Sequence, residues 1–112
     1  MKKTIFFNFL ECKLHLYVVE KNKDIDNKSK QIYSKHKKEK LKEDEELSCG
    51  LTIPMFTDYY IIIRKGKDII NILFHEISHS VDLILGDRSI NDEEVRAYML
   101  AYIGETFLKQ IQ

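Results

Sequence analysis

The sequence predicts an α+β fold, a small mixed or antiparallel sheet with two C-terminal helices packed against one side of it. Two observations carry this. Apolar residues alternate with period two in short runs before residue 20 and again before residue 64, and after Gly66 the period changes to roughly 3.6 and stays there. The 112 residues are the usual size of one domain. Within it, residues 1–47 read as an N-terminal hairpin and charged helix and residues 48–112 as the functional core.

Ile5, Phe7 and Phe9 alternate with Phe6 and Asn8, and after Glu11-Cys12-Lys13 the alternation resumes as Leu14, Leu16 and Val18. This predicts two paired strands. From Lys21 to Glu46 there are sixteen charges, no Gly and no Pro, with Ile25, Ile32, Tyr33 and Leu41 as the sizeable apolar groups. That stretch reads as a solvated helix. Leu47 to Pro54, a turn through Thr57-Asp58 and the run Tyr59 to Ile63 predict a second strand pair. Asp68 is expected to cap a helix whose apolar face collects Ile70, Phe74, Ile77, Val81 and Ile84, with Gly86 as its left-handed terminator. A last helix is expected from Asp92 to Gln110, capped by Ser89 or Asn91, with Asp92, Glu93 and Glu94 at the positive end of its dipole.

Composition excludes several classes. Eighteen basic and eighteen acidic side chains cancel, and a pI near 6.9 lacks the basic footprint of a dedicated nucleic-acid binder. A hydrophobic content of 44% is too high for a disordered chain. Cys12 and Cys49 form no CxxC and no dense framework, so no disulfide scaffold is expected. The apolar run after Lys3 is stopped by Glu11, and runs such as Tyr59 to Ile63 are far shorter than the ~20 residues of a membrane span. A soluble, cytoplasmic protein without membrane contact is the expectation.

The chemistry concentrates in His75-Glu76-Ile77-Ser78-His79, an HExxH sequence on the first C-terminal helix. Histidines one turn apart share a helix face, so both imidazoles can reach one tetrahedral Zn2+ at about 2 Å. Glu76, displaced by roughly 100°, would stand beside a metal-bound water as general base. A third ligand is expected from the last helix. Glu94 heads a stripe of Ala97, Ala101 and Gly104 that would let the two helices approach closely, and Glu93 is the second choice. The alternative role for Glu94 is a capping-box glutamate three residues after Asn91. Asp82 could accept from an imidazole N–H, ligate the metal or simply face solvent at the helix end. Tyr98 could donate to an oxyanion, although a core position is the commoner role for such a residue. His15, on a strand, and His36, in the lysine-rich helix, read as structural or exposed. Between Lys28 and Lys42 seven lysines face Glu39 alone, a local charge of +6 that reads as a solvated face.

From Cys49 onward the order of features, Gly50 to Pro54, a hairpin into Tyr59 to Arg64, HExxH, a glycine turn and Glu94-Val95-Arg96-Ala97-Tyr98, resembles the small zincin-like metallopeptidases of bacteriophages and prophages. The likeness spans about residues 48 to 105. It implies a zincin-like fold in which His75, His79 and Glu94 bind zinc and Glu76 is the catalytic base. More distantly the chain is similar to ImmA/IrrE-type peptidases that cleave repressors. It departs from them around the third ligand and shows no helix-turn-helix, so the likeness does not extend to repressor cleavage.

The resulting expectation is a zinc-dependent peptidase acting on a peptide or protein substrate, with the strand Tyr59 to Arg64 as an edge that pairs with it. The rival is a non-catalytic, zinc-stabilised phage accessory or binding module. Nucleic-acid binding through the lysine block is a third and weaker reading.

Overall fold

The structure, a computed structural model, describes residues 1–38 and 49–112. Four strands form one mixed sheet: β1 (Lys2–Phe7), β2 (Cys12–Val19), β3 (Gly50–Pro54) and β4 (Asp58–Arg64), in the order β1-β2-β4-β3. Three α-helices flank it: α1 (Asn22–Lys35), α2 (Ile69–Asp87) and α3 (Glu93–Ile111). A 3-10 turn at Asn8–Leu10 joins β1 to β2.

Both expected hairpins are present, with Ile5 opposite Leu14 and Thr52 opposite Ile61. What joins them is a parallel pairing of β2 with β4, Leu14 beside Tyr59 and Val18 beside Ile63. The return from β2 passes through α1, and a crossover is what parallel neighbours require. One expectation is thereby corrected: Tyr59 to Arg64 is a central strand, hydrogen-bonded on both sides. Its five consecutive buried residues, Tyr59 to Ile63, fit that position, because a strand covered on both faces needs no polar alternation.

The sheet has helices on both faces. Leu14, Leu16, Tyr59, Ile61 and Ile63 pack against Leu73, Ile77, Val81 and Ile84 of α2 and Met99, Ile103 and Phe107 of α3. On the other face Ile53, Tyr60 and Ile62 meet Ile25 and Ile32 of α1. The charged helix is therefore a packed element, with those two isoleucines and Ser29 buried against the sheet. Its expected continuation to Glu46, and the start of the second strand pair at Leu47, lie outside the described residues.

Several helix boundaries differ from expectation for identifiable reasons. Gly86 lies inside α2, and the left-handed residue is Ser89 (φ 55°) after the Arg88 C-cap. Asp68 occupies the N-cap position of α2 but makes no capping bond, and its carboxylate lies 3.6 Å from Arg64. Asp92, not Ser89 or Asn91, caps α3: its Oδ1 accepts from Glu94 N–H (2.9 Å) and Val95 N–H (3.2 Å). Ile70 and Phe74 are exposed flanks of α2, whose core face is Leu73, Ile77, Val81 and Ile84. By length and composition α2 could cross a bilayer, with a mean hydropathy of 1.2. It spends its apolar face on the sheet instead.

Candidate functional site

α2 places His75 and His79 on its open side and turns Glu76 inward. The two imidazoles meet edge to face, ring centres 4.6 Å apart and Nε2 to Nε2 3.0 Å, so one ring donates its Nε2–H to the other. Glu76, only 7% exposed, points toward β3. The Thr52 hydroxyl donates to Glu76 Oε1 at 2.8 Å and lies 3.2 Å from the Glu76 carbonyl. Gly50 makes this approach possible. A Cβ there would stand 2.7 Å from Ile72 Cγ2 and 3.0 Å from Glu76 Cγ.

The third zinc ligand is missing from this arrangement. Among the described residues no group of three or more His, Cys, Asp or Glu side chains is placed to hold a metal. A catalytic zinc needs three protein ligands and two imidazoles are insufficient, so the donor set does not fit the ion. The expected Zn2+ site of His75, His79 and Glu94 is corrected on that ground. With it go the zincin-like metal-binding core, the peptidase mechanism with Glu76 as base, and the zinc-stabilised module.

The rotation of α3 explains the failure. Arg96 Nε donates to Asp82 at 2.7 Å and its Nη2 to Ser78 Oγ at 3.2 Å, which brings position 96 against α2. Two residues back, at roughly 100° per residue, Glu94 is turned about 200° from that contact and is exposed. Ala97 and Ala101 are exposed with it, and of the small-residue stripe only Gly104 is buried, against Phe74. Glu93 and Asp82 line a cavity of about 380 Å³ at the α2–α3 turn. Asp82 is occupied by Arg96, whose guanidinium it pushes above its ordinary pKa by hydrogen bond and charge. Tyr98 is 71% exposed and stacked on Tyr102, which makes it neither a core residue nor a neighbour of the imidazole pair in any contact.

No protein-family model, curated protein or solved structure matches this chain. The likeness to phage zincins and to ImmA/IrrE peptidases thus finds no support beyond its motif, and the chain's own geometry has to carry the functional reading.

That geometry has a second component, the outer side of β3. Arg64 N–H donates to the Cys49 carbonyl (3.0 Å) and Met55 N–H to the Asp58 carbonyl (2.9 Å). In an antiparallel pair, residues bonding to the neighbour alternate with residues bonding away from it. Leu51 and Ile53 therefore share the inward role of Cys49 and Met55. Gly50 and Thr52 turn their N–H and C=O groups outward, and among the described residues no strand lies there. Sequence reasoning placed the edge on the wrong strand of this hairpin. Pro54 was the available signal, since a proline is tolerated on an edge strand and not in the centre of a sheet.

A separate polar cluster lies on the α1 face. His15 is held between Thr4 Oγ1 on Nδ1 (2.9 Å) and Asp58 Oδ1 on Nε2 (2.8 Å), and it stacks on Tyr60, whose hydroxyl bonds His36 Nε2 (2.8 Å). Burial pushes the His15 imidazole below its ordinary pKa, and the hydrogen bond and charge of Asp58 recover only part of the shift. Burial also pushes the Tyr60 hydroxyl up to about 12, helped by the charge of Asp58. Both residues fasten α1 and the β1–β2 hairpin to β4, so their role is structural.

Proposed function

We propose that this chain is a protein-binding module that takes an extended segment of a partner as an added strand on the outer edge of β3. The observation that carries the reading is the pair of residues, Gly50 and Thr52, whose backbone groups face outward beside the Glu76, His75 and His79 shelf of α2. An added strand gains its affinity from main-chain bonds and its selectivity from the side chains beside the edge. Both ingredients are present at β3.

The opposite edge, β1, is a poorer platform. It begins with Lys2 and Lys3, and lysines on an edge strand are a recurrent device against pairing. β3 carries no charged residue, and Pro54, which has no N–H, closes its ladder at one end.

The test is selection of peptide binders from a displayed random library on the whole protein, followed by Thr52→Pro. This change removes an outward N–H without deleting a β3–β4 bond. Binding should fall at least about tenfold, from one lost hydrogen bond and the ring's obstruction of the edge, while circular dichroism shows the fold intact. Undiminished binding by the folded variant contradicts the reading.

A further inference from the structure

Glu76 is a buried carboxylate with an incomplete set of partners. Its Oε1 accepts from Thr52, and its Oε2 faces Gly50, 3.2 Å from the place a Cβ would occupy there. Among the described residues no Lys, Arg or His lies within ion-pair distance of it. A carboxylate withdrawn from water without a countercharge is costly, and a cation brought to it gains a charge-assisted hydrogen bond in a poorly hydrated place.

The position of this carboxylate matters as much as its lack of a cation. The Thr52 side chain points to the α2 face of the sheet, as its bond to Glu76 shows. In a strand added to β3, the residues directly opposite Gly50 and Thr52 project to that same face. Gly50 supplies no side chain of its own, so the space in front of Oε2 stays open to the partner residue opposite it.

We propose that the partner segment carries a lysine or arginine opposite Gly50 and that Glu76 Oε2 receives its cation. This inference rests on the edge-pairing reading and adds the class of sequence that the edge selects. A long flexible stem suits the site, because the carboxylate lies behind the plane of the edge and a short side chain would not reach it. Glu76 is here a specificity-determining residue, and nothing is asked of it as a base.

The experiment uses the full chain and peptides selected from a randomised displayed library. Selected sequences should share one basic position, and a synthetic peptide with norleucine there should bind wild type about 10- to 100-fold more weakly, the range expected for a hydrogen bond to a charged group. Glu76→Gln, nearly isosteric and able to keep the Thr52 contact, should bind the basic and norleucine peptides equally. Peptides that perturb the Gly50 and Thr52 amides but show no basic preference overturn this inference and leave the edge reading standing. A basic preference that survives Glu76→Gln does the same. Failure of every selected peptide to perturb those amides overturns both.

Discussion

Ser29 is fully buried between α1 and the sheet, and its hydroxyl has no hydrogen-bond partner. Unpaired buried hydroxyls cost stability, and serine is also a poorer helix former than alanine. Ser29→Ala should raise the unfolding free energy by about 1 kcal/mol, read as a higher denaturant midpoint at unchanged slope. His15 gives a pH-dependent counterpart. Its folded pKa lies below the ordinary 6.5, so the folded chain refuses a proton that the unfolded chain accepts. Stability should therefore hold above pH 6.5 and fall as the pH drops from there through the lowered folded value. Asp58 adds a second acid-side loss. Burial pushes its carboxyl up, but the hydrogen bond and charge of His15, with Thr57 and Lys13, outweigh this and hold it below 3.8. Its contribution is present above 3.8 and disappears as the pH falls through the lower folded value. Urea midpoints across this range should show the loss below 6.5 in wild type and a flatter profile in His15→Gln.

At the scale of elements, the strand pairs and all three helices were legible because period two and period 3.6 are local signals. The rotation of α3 was legible too, had the large residues been weighed above the small ones. Val95, Met99, Ile103 and Phe107 mark the buried face, and Glu94 lies about 180° from Ile103. The stripe Ala97-Ala101-Gly104 misled because small residues permit close approach without compelling it, whereas burial of Met99, Ile103 and Phe107 is strongly driven. The capping residue was displaced by one position, since Asp92 also suits the acidic first turn in which it was placed. Asp92→Ala should cost about 1 kcal/mol, and Asn91→Ala a few tenths at most, in chemical denaturation. The contact of β3 with α2 gives a further expectation. At Gly50 an added methyl would meet Ile72 Cγ2 at 2.7 Å, on a β-branched side chain with little freedom to move. Gly50→Ala should destabilise by about 1–3 kcal/mol, as overpacking does.

At the scale of the whole molecule, what the sequence could not disclose was long-range. The parallel pairing of β2 with β4 joins residues about 45 positions apart, and it alone decides which strand of the second hairpin is central and which is an edge. An HExxH helix has the same local pattern whether or not a third ligand arrives, so the motif by itself could not report that α3 would turn Glu94 away. The shared outcome of these two non-local events is a sheet edge beside a buried carboxylate and a histidine pair. The functional account depends on that edge being open. Hydrogen exchange at the β3 amides measures this directly, in the free protein and with a selected peptide bound. The account predicts that Leu51 and Ile53 are protected throughout, while Gly50 and Thr52 exchange rapidly when free and become protected on binding. Gly50 and Thr52 amides already protected in the free protein, or unprotected in the complex, would contradict it.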